Sequence, residues 1–182
     1  MLTQFRLAVF AAAALGAAWG SQASAFWPFG EAVRLNLAPA YGGVCEECDL
    51  SGRILAGAKM SNSNFNRANF ANAVLTRADA SYSQFNAANF TAADLRNAML
   101  VDAQCPGARF ERAMLADSDA SGADFRFANF DGADVRNANF DGANLSGADL
   151  REALGLTQAQ LDGACGDTQT RLPGGMRVRV CE

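Results

Sequence analysis

Few residue types in this chain could do chemistry. Cys45-Glu46-Glu47-Cys48 has the C-x-x-C spacing that serves redox exchange or metal binding in a reducing cytosol. There is no second C-x-x-C and no histidine among the 182 residues, so a zinc centre lacks its ligands. In an oxidising compartment a short disulfide is the favoured reading of the pair. Cys165 and Cys181 form the other candidate disulfide, which would tie the Pro173-Gly174-Gly175 turn and the strand-like Val178, Val180 end to the segment before it. Cys105 is left over and is expected to be a buried thiol acting as a small hydrophobe.

Carboxylates are the other reactive class. Asp117, Asp119, Asp124, Asp131, Asp134, Asp141 and Asp149 crowd residues 116–150, where Arg126 and Arg136 are the only bases, so an acidic patch is expected there. Without histidine no side chain is poised as a base near neutrality, and the aspartates are expected to solvate an outward face. No G-x-S-x-G or P-loop motif occurs, nor a D-x-D-x-D-G calcium loop. No enzyme activity, catalytic residue, metal or cofactor is therefore expected. The net charge of −4 and pI near 4.8 argue against nucleic acid as a partner, since phosphate contact needs a basic stripe.

A repeat positions most of these groups. From Leu50 to Leu150 every fifth residue is apolar, twenty-one in succession. Two residues before each lies a small side chain, alanine in sixteen cases and serine at Ser63, Ser83 and Ser118, with Cys48 and Arg53 the departures. A helical period of 3.6 cannot keep residues five apart on one face, and a plain strand period of 2 cannot persist over this length. A short extended segment with two inward residues, followed by a corner that resets the phase, accounts for both numbers. It also accounts for the Gly, Asn, Asp and Ser between them.

A second period of twenty lies on the first. A variable position, then Phe, Phe and an aliphatic recurs from Met60 to Val135, with Cys105 the clear exception. Twenty residues thus make one turn of a four-sided coil, in which Phe70, Phe90, Phe110 and Phe130 stack on one face opposite the small Ala80 and Ala120. About five coils at roughly 4.8 Å each give a rod on the order of 25 Å long.

These residues resemble the pentapeptide-repeat family, whose A-(D/N)-L-x-x signature stands here as Ala143-Asn144-Leu145-Ser146-Gly147-Ala148-Asp149-Leu150. The resemblance implies an all-β fold, the right-handed quadrilateral parallel β-helix. It implies no single activity. Some members bind DNA gyrase by imitating duplex DNA and protect it from quinolones, which is the alternative reading for this chain.

Along the chain, residues 1–25 are expected to be a secretory signal peptide, with Arg6, the apolar Leu7 to Trp19 and the Ala23-Ser24-Ala25 cleavage site. The apolar run is too short to span a bilayer, so no membrane span is expected after cleavage. Residues 26–44 are expected to cap the first coil, 45–150 to form the β-helix and 151–182 to cap its far end, with Thr157-Gln158-Ala159-Gln160 opening a short helix. Export would separate the protein from gyrase. The favoured function is therefore a non-enzymatic periplasmic or secreted module, a rigid protein-binding or spacer element with an unknown protein partner. Candidate surface residues, besides the aspartates, are the outward column Ile54, Val74 and Met114, broken by Asp94, and Met99 on the next face. Tyr82 and Phe127 add isolated corner aromatics. The pattern sets no oligomeric state.

Overall fold

The computed structural model describes residues 43–182. The signal peptide assigned to 1–25, and all of the 26–44 cap except its last two residues, lie outside the described residues. From Val44 onward one residue of each pentad pairs in parallel with the residues twenty before and twenty after it. Four ladders result. The first face carries Val44, Asn64, Gln84, Gln104, Asp124 and Asn144; the second Asp49, Asn69, Asn89, Arg109, Asn129 and Asp149. The third carries Ile54, Val74, Asp94, Met114, Asp134 and Leu154; the fourth Lys59, Asp79, Met99, Asp119 and Asn139. The fold is the right-handed quadrilateral parallel β-helix.

Backbone hydrogen bonds explain why the unit is five residues long. Around Phe70, Asn69 N donates to Cys48 O of the coil before (2.8 Å), while Phe70 N and Asn72 N donate to Asn89 O and Thr91 O of the coil after (2.7 and 2.9 Å). Ala73 N then closes the corner on Phe70 O at 3.0 Å. From Glu47 to Gly147 each corner is turned by one residue at positive φ, such as Asn72 at 58° or Gly122 at 67°. Arg67, Tyr82 and Phe127 hold the same conformation at about 1 kcal/mol or more each, a cost the ladders on either side absorb.

Inside, the Phe70, Phe90, Phe110 and Phe130 rings stack with centroids 4.9, 4.9 and 5.0 Å apart and nearly parallel planes. Eight phenylalanines are wholly buried, each contributing about 1.5–3 kcal/mol by leaving water. Cys105 interrupts the first-face column between Phe85 and Phe125, and the same coil carries Leu100 where the coils before and after it have Ala80 and Ala120. A large residue has moved one pentad earlier, so the cross-section stays filled.

The ends depart from the sequence expectation. Val44, assigned to the N-terminal cap, is already in the first ladder, and Gly43 O accepts from Asn64 N. At the other end the coil does not stop at Leu150. Leu154, Cys165 and Arg171 extend the third, first and second ladders. The pentad frame would place the last two at 164 and 169, so one extra residue before Cys165 and a second before Arg171 hide the continuing coil from a count of five. Only the fourth face ends early, under helix α1 (Gln158–Asp162), which opens with the expected capping box between Thr157 and Gln160. Leu156 and Leu161 on either side of it are buried. Strand β1 (Cys165–Gly166) pairs in parallel with β2 (Arg179–Val180), adding a last layer on the first face.

Candidate functional surface

The cysteines divide as two pairs and one buried thiol. Cys45 is bonded to Cys48 within the first coil, and Cys165 to Cys181 across the β1–β2 layer, with Cα atoms 5.4 and 4.9 Å apart. Burial, with a smaller contribution from Asp124, pushes the Cys105 thiol far above its usual range, so it is no nucleophile.

The aspartates do more than solvate a face. Wherever Asp or Asn occupies the ladder position, its Oδ1 accepts from the backbone N–H two residues on, as in Ser51 N to Asp49 (3.1 Å), Arg126 N to Asp124 (3.1 Å) and Asp141 N to Asn139 (3.0 Å). This Asx turn bends the chain into the corner, the physical reason the motif favours these two residues. Asp94, Asp124, Asp134 and Asp149 also bind the arginine two residues on, with Arg96, Arg126, Arg136 and Arg151 at 2.6–2.7 Å. Hydrogen bonding from Arg151 lowers the Asp149 carboxyl to about 2, with Arg171 adding a smaller part.

The expected acidic patch is not one patch. Asp124 lies on the first face, Asp149 on the second, Asp134 on the third and Asp119 on the fourth, while Asp131, Asp117 and Asp141 occupy three different corners. The fold distributes these charges around the rod because a coil of twenty sends successive pentads to successive sides. The apolar column is similarly divided. Ile54, Met114 and the neighbouring-face Met99 are exposed, Val74 is half-buried, and the Asp94–Arg96 pair separates Val74 from Met114. Leu154, which sequence reading placed in the cap, extends this third face and is 58% exposed.

One concavity escaped the sequence. At the corner between the first and second faces, near the C-terminal end, a cleft of about 640 Å³ is lined by Phe127, Asp149, Thr168, Gln169 and Arg171 among others. Phe127 stands out in the sequence as a corner aromatic, but its neighbours 168–171 belong to a segment without the pentad frame. Among the described residues no cluster of His, Cys, Asp and Glu could hold a metal ion, and no helix is long and apolar enough to cross a membrane.

Four parallel ladders, Asx corners and a filled Phe/Ala interior define the class of protein, a repeat-built quadrilateral β-helix. The family model for pentapeptide repeats matches in eight copies within residues 44–165, more than half of the chain, and the protein belongs to the pentapeptide-repeat family. Such proteins generally serve structural or binding roles. No curated protein matches the sequence. Among solved structures it is similar to alr5209, a pentapeptide repeat protein from Nostoc PCC 7120 (29% identity, 52% of this chain and 77% of that one, TM-score 0.45). It is also similar to HetL, a pentapeptide repeat protein involved in heterocyst differentiation regulation in the cyanobacterium Nostoc sp. strain PCC 7120 (21% identity, 73% and 82%, TM-score 0.35). A third is QnrB1, a plasmid-mediated fluoroquinolone resistance protein (19% identity, 75% and 79%, TM-score 0.37).

Proposed function

We propose that this protein is an exported, non-enzymatic module that holds or spaces a protein partner. The observation that carries the reading is where the side chains are spent. The interior is closed by stacked phenylalanines and alanines, and the ladder aspartates are committed to corners and arginine pairs, which leaves rigid outward faces as the surface for recognition. The third face, with Ile54, Met114 and Leu154 exposed between ion pairs, is the apolar part of that surface. The leader-like residues 1–25 and two cysteine pairs at bonding distance support export, because disulfides persist in oxidising compartments.

Two measurements test it. Fusion to a periplasmic proximity label should enrich one protein or a small set over an exported control, and Met114→Arg should reduce that enrichment. No enrichment would sink the binding role. An intact mass beginning at Phe26, with one alkylatable thiol and recovery outside the cytoplasm, is the expected result for export. A full-length cytosolic mass with five free thiols would overturn it.

A further inference from the structure

The cleft between the first and second faces offers a kind of recognition that the flat faces do not. Phe127 turns the corner at a φ of 59° and is 62% exposed. Its ring lies over Gly147 of the next coil, where a Cβ would stand 2.5 Å from the ring's Cδ1. Gly107, below it, has nothing within 4 Å of its own Cβ position. Gly147 thus gives the ring room over the next coil, and the ring stays open to solvent.

The far wall is held firmly. Asp167 Oδ1 collects the backbone N–H groups of Gly147, Gln169 and Thr170, all at 2.9 Å, and Thr170 Oγ1 donates to Leu145 O at 3.0 Å. Thr168 and Gln169 are exposed beside the cleft. Arg171, 61% exposed at its side chain, makes a single 3.4 Å contact to Asp149, whose carboxylate is already engaged by Arg151. Most guanidinium donors of Arg171 therefore face solvent at the rim.

The backbone offers a ligand much less. Phe127 N donates to Ser146 O, Asp149 N to Ala128 O and Arg171 N to Ala148 O, each at 2.9 Å, so the lining is already laddered and an added peptide strand finds no edge. Recognition has to run through one aromatic plane, planar polar side chains and a cation. A pyranose ring meets that set, with an apolar face for the phenyl ring and hydroxyls for carboxylate, amide and hydroxyl partners.

We propose that the cleft binds an acidic saccharide, with one sugar face against Phe127 and a sugar carboxylate at Arg171. This site is separate from the third face, so its failure would leave the protein-partner reading standing.

The test is saturation-transfer NMR and calorimetry on the full oxidised chain, with trigalacturonate as the acidic probe and cellotriose as the neutral one. Trigalacturonate should receive saturation and bind about fivefold tighter than cellotriose. Phe127→Asn, which keeps the positive φ, should weaken both by about tenfold. Arg171→Gln should remove only the preference for the acidic probe, and Tyr82→Asn at another corner should change nothing. Unchanged circular dichroism and melting would show that the variants fold. Binding of neither sugar, binding that survives Phe127→Asn, or an acidic preference that survives Arg171→Gln would overturn the proposal.

Discussion

The side-chain amide of Gln160 occupies the place of a strand: its Nε2 donates to Ala138 O at 2.8 Å, the carbonyl that residue 159 would have bonded in one more coil. In the coils before, Ala98 O and Ser118 O receive that bond from Asp119 N and Asn139 N. The same amide reaches Val135 O at 2.8 Å, while its oxygen accepts from Thr157 N to open helix α1. Gln160→Glu keeps the capping acceptor and loses both donors. It should lower stability by about 1–3 kcal/mol in urea unfolding, because Ala138 O at the covered end loses its partner and Val135 O is left with the Ala138 N bond alone. A Glu variant as stable as the parent would show that the helix, not the amide, closes the fourth face.

Ser118 Oγ is the one buried side-chain polar atom without a partner among the described residues. Ser118→Ala should therefore stabilise the protein, by about 1 kcal/mol. Ser83 makes the contrast: its hydroxyl donates to Met60 O at 2.6 Å and accepts from Ser63 N at 3.1 Å. Ser83→Ala should destabilise by about 1–3 kcal/mol, since it leaves a buried N–H unpaired. Paired denaturation curves that move the two variants in the same direction would contradict this assignment.

Leu100 and Cys105 should be coupled. Cys105→Phe alone overfills its coil, at about 1–3 kcal/mol, and Leu100→Ala alone empties it, at about 2–5 kcal/mol. The double variant rebuilds the Ala80, Phe85 arrangement of the preceding coil and should cost well below the sum. Additive losses in a double-mutant cycle would mean that the two positions do not share volume.

Acid should weaken the fold through the arginine-bound aspartates. Arg151 holds the folded Asp149 carboxyl near 2 against an ordinary 3.8, and arginine hydrogen bonds also lower Asp94 and Asp134. A folded value below the unfolded one stabilises above the unfolded pKa, and that contribution is lost as pH falls through the folded value. Melting temperatures should hold from pH 7 to about 4 and fall between about 4 and 2. In Asp149→Asn, which keeps the Asx acceptor, the decline should be shallower; an unchanged profile would assign the acid sensitivity elsewhere.

The coil from Leu50 to Leu150 is legible in sequence because two of every five positions are inward and each inward site tolerates few side chains. Capping by Thr157 and Gln160 is legible for a similar local reason: both partners lie three residues apart. The continuation through Cys165 and Arg171 is not, because ladder pairing is a property of space and single insertions erase its spacing. Outwardness of Asp124 or Asp149 is legible, but not their Asx bonds, since a period says where a side chain points and not what it holds. The cleft joins Phe127 to Arg171 across that broken frame, so no count of five brings them together.

The disulfides also give the rod a mechanical polarity. Cys45–Cys48 closes a loop within one coil, whereas Cys165–Cys181 staples the last layer to itself across sixteen residues. Pulled by its two termini, the rod should therefore peel from the first coil, each release lengthening the chain by one coil of twenty residues, about 70 Å of contour. Optical-tweezer traces should show that step, and reducing agent should add release from the opposite end. A protein built this way yields to tension in even increments and from a chosen side, as a tether or a spacer under load would need to.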